Sequence, residues 1–164
     1  MISIFIQYAN DGRGREIGLE LRTYLKHYNL DPFLAGEGSP DVNYGNSNAW
    51  AMIEQKLIDS NVIVAICTKG YSEAEGVQRE LNIWKEKAKH ITIIPFLQEG
   101  ISLPPELNGP WRMKFDPENS KNIFCELLIS IYQAYNLKLG FLIQSLRKES
   151  NADRIVAQYP MGEN

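Results

Sequence analysis

Cysteine and histidine are scarce in this chain, with two of each among 164 residues. Two cysteines build no disulfide framework. Cys67 falls in a strand-like run and Cys125 in a helix-like one, so both read as buried packing residues. A reducing, cytoplasmic setting is expected. His27 lies on a helix with no second His or Cys nearby, and His90 directly precedes a strand. Zinc spacing is absent and no metal site is expected. Basic excess is missing as well. The net charge is −3 without a dense Lys/Arg cluster, which excludes the field that nucleic acid or a membrane surface would need. No apolar run reaches the length of a membrane span. The first strand-like run already begins at Ile2, so no leader peptide is expected in front of it.

What is present is an alternation of two kinds of segment. Ile2–Tyr8 is β-branched and aromatic and ends on the turn formers Asn10, Asp11 and Gly12. Ile17, Leu21, Tyr24, Leu25 and Tyr28 then recur at helical spacing. Asp31–Ala35 is a short second strand, entered through Pro32. Gly36–Asn46 is too rich in Gly and Asn for regular structure, and loops of that length are more often functional than idle. Ser47 or Asn48 caps a second helix with Trp50, Ile53 and Leu57 on its apolar face. Asn61–Cys67 does not alternate and reads as a strand buried on both faces. A third helix spans Glu75 to Lys89, with Val77, Leu81, Trp84 and Ala88 on one face. Ile91–Leu97 is a further buried strand, and Pro95 within it removes a ladder donor, so a bulge or an end is expected there. Trp111–Phe115 is a last edge strand. Asn119–Leu137 is helical, with Gly140–Arg147 able to extend it, and Ile155, Val156 and Tyr159 are candidates to dock in the polar tail.

This order implies an α/β fold with a parallel sheet and helices on both faces. Right-handed crossovers and five strands point to the flavodoxin-like order 2-1-3-4-5. One domain over 1–139 is expected, with 140–164 a helical extension or frayed tail.

Several ligand motifs can be weighed on this frame. Gly12-Arg13-Gly14-Arg15-Glu16-Ile17-Gly18 follows a strand and opens a helix, but it is one residue too long for the dinucleotide pattern. The acidic residue that pattern needs after the second strand is Ala35 instead. A tight turn accounts for Gly12 and Gly14, while the loop retains the N–H groups to hold a phosphate with Arg13 or Arg15. A phosphoacceptor receiver needs an aspartate where this chain has Cys67-Thr68, and a flavodoxin needs a Ser/Thr-rich loop where it has Ala9-Asn10-Asp11-Gly12. Glu80 stands out, opening a helix just past the third strand, where such sheets present side chains to a ligand crevice. On pattern alone a carboxylate there is a solvated helix-face charge; in a crevice it can serve glycosidic-bond chemistry.

Taken together, Ile4-Phe5-Ile6-Gln7-Tyr8, the long loop after the second strand, Ile53–Ile58, Tyr71-Ser72 followed by Glu80-Leu81, and Ile93-Ile94-Pro95-Phe96 resemble a TIR (Toll/interleukin-1 receptor) domain of the prokaryotic type. The resemblance covers roughly residues 2 to 115, and the last helix fits the family's. Gln7 stands where that family's first box has serine. Many members cleave NAD+, releasing nicotinamide and leaving ADP-ribose or a cyclic ADP-ribose, in some cases in microbial immune defence.

By this resemblance Glu80 is the catalytic glutamate and NAD+ the substrate, with no further cofactor. Breaking the nicotinamide–ribose bond builds an oxocarbenium-like cation, which a carboxylate at the ribose hydroxyls stabilises. Tyr8, Ala9, Asn10 and Arg13 should then line the ribose and phosphate region. Gly36 to Asn46, the family's BB loop, should gate the site or pack on a neighbouring copy. The family often carries an aromatic residue where this chain has Gly76, so Tyr71, Tyr44 or Trp50 is expected to supply the stacking face. Two alternatives accompany the enzyme reading. One is a non-catalytic TIR–TIR interaction module. The other is a nucleoside deoxyribosyltransferase-like enzyme with a nucleophilic glutamate.

Overall fold

Runs of Ile, Val and Phe too dense to alternate must be covered on both sides, and the chain does this with helices. The computed structural model describes residues 1–36 and 38–150, with side chains through 145. Its elements run β1 (Ser3–Tyr8), α1 (Arg13–His27), β2 (Asp31–Leu34), α2 (Ala49–Ile58), β3 (Val62–Cys67), α3 (Glu75–Lys87), β4 (Thr92–Leu97), β5 (Met113–Lys114) and α4 (Ser120–Ser150). All strand pairs are parallel, in the order 2-1-3-4-5. This is the expected flavodoxin-like arrangement.

The two faces of the sheet sort by residue parity. Even-numbered Ile4, Ile6, Val62, Val64 and Ile66 meet Ile17, Leu21 and Leu25 of α1 and Phe124, Leu127 and Ile131 of α4. Odd-numbered Phe5, Ile63, Ala65 and Cys67 meet Ile53 and Leu57 of α2 and Val77, Leu81 and Trp84 of α3. Gln7 shares the parity of Phe5, so a polar side chain enters the second core at the carboxyl end of β1, only 1 % exposed. Its neighbour across the ladder is Ala65, whose small side chain leaves it room.

Two local expectations change. Pro95 neither bulges nor ends β4, because the register with β3 is unbroken from Val62–Thr92 to Cys67–Leu97. Pairing with β5 starts only at Phe96, so at Pro95 the strand is still an edge, where proline is tolerated. Cys125 is exposed on the outer side of α4, whereas Cys67 is buried and burial pushes its thiol up to about 12. The last helix passes Leu139 and Gly140 without a break. Ile155, Val156 and Tyr159 lie outside the described residues. Among the described residues no helix is long and apolar enough to cross a membrane, and no cluster of metal-ligating side chains occurs.

Candidate functional site

Helix α3 begins at Glu75, after Ala74 in an extended conformation, so Glu80 is its sixth residue rather than its opening one. It follows Val77 by three and precedes Trp84 by four, which puts it on the stripe that packs on the sheet. Glu80 is accordingly 3 % exposed. The expectation of an exposed helix-start residue is therefore overturned by the phase of the helix.

The partner of Glu80 is Gln7, whose Nε2 donates to Glu80 Oε2 at 2.8 Å and to the Val77 carbonyl at 3.4 Å. The other end of that amide accepts from the Tyr71 hydroxyl. Tyr71 belongs to a 3-10 turn over Tyr71–Glu73 and is fully buried. Burial pushes the Glu80 carboxyl up to about 8, and the single hydrogen bond from Gln7 opposes that only in part. Burial likewise drives the Tyr71 hydroxyl well above its ordinary range.

Above Glu80 opens a cleft of about 620 Å³ at the carboxyl end of the sheet, bordered by Tyr8, Asn10, Gly36, Tyr44, Trp50, Gly76, Arg79 and Glu80. Its size falls in the ~300–1,000 Å³ range of small-molecule sites. Tyr8 forms one side, its hydroxyl raised to about 12 chiefly by burial. Its ring packs on the backbone of Gly36. A Cβ at Gly36 would sit 2.5 Å from that ring, and φ is +129° there, so only glycine suits the position. The Gly36 N–H donates to the Tyr44 hydroxyl at 3.1 Å. Tyr44 meets Trp50 edge-on, with centroids 6.5 Å apart. Over Trp50, 4.0 Å from its centroid, lies the Arg79 guanidinium. A Cβ at Gly76 would be 3.8 Å from the same indole, so the ring of α2 stands over the gap that Gly76 leaves on α3.

Six expected residues thus converge on one cleft: Glu80, Tyr8, Asn10, Gly36, Tyr44 and Trp50. Three do not. Tyr71 is sealed beneath Gln7 and offers no stacking face. Ala9 is buried, with its carbonyl bound to the Asp11 N–H at 2.9 Å. Arg13 borders a different groove with Asp11, Lys69 and Glu73, and pairs with Glu16 at 3.0 Å. Arg13 is the first residue of α1 and turns with that helix, away from the cleft. Gln7, Gly76 and Arg79 were not anticipated as site residues. Gln7 had a signal, a polar side chain at a core position of the first strand.

The long loop is anchored at its root. Arg22 grips Asp41 with two hydrogen bonds of 2.8 and 2.5 Å, and Asp41 also accepts the Leu34 N–H at 2.9 Å. Arg15 donates to the Gly38 carbonyl at 3.1 Å. In the adjoining groove Asp11 accepts the Thr68 hydroxyl and the N–H groups of Gly14 (2.8 Å) and Gly70 (3.2 Å). Burial alone would raise Asp11, but these donors together hold it below the usual carboxylate range.

No family model matches the sequence, and no curated protein does. Solved structures do. The chain resembles the TIR domain of the Toll-related receptor TRR-2 from Hydra magnipapillata at a TM-score of 0.58 and 19 % identity, over 77 % of this chain and 94 % of that one. It also resembles the RPS4 and RRS1 TIR domain heterodimer at 0.57 and 11 %, over 82 % and 99 % of the two chains. At these identities the likeness establishes the fold.

Proposed function

We propose, from the premise that this chain has the fold of TIR domains, that it cleaves the nicotinamide–ribose bond of NAD+, giving ADP-ribose or a cyclic ADP-ribose. The observation that carries the reading is Glu80, a buried carboxyl at the floor of an open cleft at the carboxyl end of a parallel sheet. In the free protein this group is held largely neutral by burial. A substrate that brings its own positive charge, as the nicotinamide ring of NAD+ does, favours the carboxylate when it docks. The ion then faces the ribose as the oxocarbenium character develops, and the bond breaks toward neutral nicotinamide without a general acid. Water gives the linear product; a hydroxyl of the same substrate gives the ring. Trp50 and Tyr44 supply an aromatic face, and Arg79 a cation for phosphate oxygens. NAD+ is here substrate, with no further cofactor required.

A second reading is a TIR–TIR interaction module, favoured by the exposed half of the long loop, Asn43–Asn46, and by the fact that one structural neighbour is itself a TIR heterodimer. Self-association through Gly36–Asn46 is compatible with both readings. The deciding experiment is NAD+ turnover by concentrated protein, with products resolved by chromatography beside Glu80→Gln. Turnover abolished by the substitution supports the enzyme. Turnover equal in both, or absent in crowded wild-type protein, removes it in favour of the module.

A further inference from the structure

The amide of Gln7 has only one workable orientation. One side of it meets the Val77 carbonyl, which can only accept, and the other meets the Tyr71 hydroxyl. A flipped amide would place oxygen against oxygen at Val77. The NH2 end is therefore fixed toward Val77 and Glu80, whatever the state of the carboxyl. Glu80 Oε2 faces a donor and can only accept there. Among the described residues no buried side-chain oxygen lacks a partner. Glu80 lines the cleft and its Oε2 is taken by Gln7, so by elimination Oε1 is the oxygen on the cleft side.

We propose that Tyr71 and Gln7 are positioning residues that make Glu80 a one-faced acid, with Oε2 held inward as an acceptor and Oε1 turned outward as the atom that carries the proton and meets the ligand. That Oε1 meets NAD+ in particular rests on the function proposed above; the orientation does not. The pair also sets when the proton leaves, because Gln7 is the donor that favours the carboxylate against burial. Around Glu80 stand Tyr8 from β1, Tyr71 from the 3-10 turn and Tyr44 from the long loop, and Tyr71 in turn faces Cys67 of β3 and Glu106. Glu75 and Arg79 come from the helix of Glu80 itself. Among the described residues its one hydrogen-bond donor is Gln7.

The test is a carboxyl-carbon NMR titration of Glu80, assigned with Glu80→Gln, in wild-type protein, Gln7→Met and Tyr71→Phe, with near-UV circular dichroism to verify the fold. Gln7→Met is expected to move the ionisation upward by about one pH unit or more, a tenfold change in the ionisation constant. Tyr71→Phe, which keeps the ring, should move it the same way by less. A role in packing alone would lower stability and leave the titration in place; that result in Tyr71→Phe, or an unshifted or lowered value in Gln7→Met, overturns the proposal. The titration needs no turnover, so it decides even where NAD+ is not cleaved. If NAD+ is cleaved, the pH profile of kcat/KM should shift alkaline in parallel. Turnover with an unshifted profile would overturn the positioning role of Gln7 and Tyr71 and leave the enzyme standing.

Discussion

The rim of the sheet and the floor of its cleft treat carboxylates in opposite ways. At the rim, Asp11 receives three donors and Asp41 receives the two-pronged Arg22 and a backbone N–H. Burial works against both, yet their partners hold both below the usual range. On the floor, Glu80 has one neutral donor and no ion-pair partner among the described residues, and burial wins. The difference teaches that depth together with the count and charge of donors separates a structural carboxylate from one left in readiness for a ligand.

The sharpest way to break the comparison is to remove the ill-served carboxyl. Glu80→Gln should cost on the order of 10²–10³-fold or more in NAD+ turnover, the scale of losing a charge-stabilising group. The same protein should be as stable as wild type or more so. Because the folded value of Glu80 lies above its ordinary 4.5, its protonated form is the one the fold favours. The contribution of Glu80 to stability is then fully present below about pH 4.5 and falls as pH rises toward 8, with a ceiling of about 5 kcal/mol for the drop. Urea denaturation across that window should show the slope in wild type and its loss in Glu80→Gln. The floor also predicts that kcat/KM climbs with pH through about 8, since this profile reports the free enzyme.

At the rim the sign reverses. Asp41 and Asp11 lie low in the folded state, so their contribution is present above their unfolded values and is lost on acidification through the folded ones. Arg22→Ala, which strips Asp41 of its charged partner, should cost about 2 kcal/mol near neutral pH and release the root of the loop. Chemical denaturation reads the first effect, and protease cleavage in Gly36–Asn46 the second. Asp11→Asn should be the mildest, about 0.5–1 kcal/mol, the usual scale for a carboxylate satisfying first-turn N–H groups. Turnover should survive it, because Asp11 borders the neighbouring groove.

Much of this architecture is legible in the sequence. Parity within Val62–Cys67 gives two buried faces, and helical periods give the four helices that cover them. Glu80 was legible as a candidate but not as a buried one, although its spacing from Val77 and Trp84 carries that information. The cleft's far wall was harder. Trp50 reads as a core residue of α2, and only the three-dimensional approach of α2 to α3 brings its ring over Gly76. Tyr71 was misplaced for a related reason. An aromatic residue near a site in sequence can point into the core, and the hydroxyl that anchors it is bonded to Gln7, a residue 64 positions away.

Gly76, Trp50 and Arg79 have a consequence for how such a chain can change over generations. The indole occupies the volume that a large side chain at position 76 would claim, and the guanidinium rests on the indole. An alanine at 76 meets Trp50 at ordinary van der Waals distance and is admissible. A larger ring at 76 would meet the indole while Trp50 remains, and a small residue at 50 removes the ring on which Arg79 rests. Each single step is penalised, whereas Gly76→Phe with Trp50→Ala exchanges the ring between helices. The three positions thus act as one unit, and a double-mutant cycle over 50 and 76 should show strong coupling.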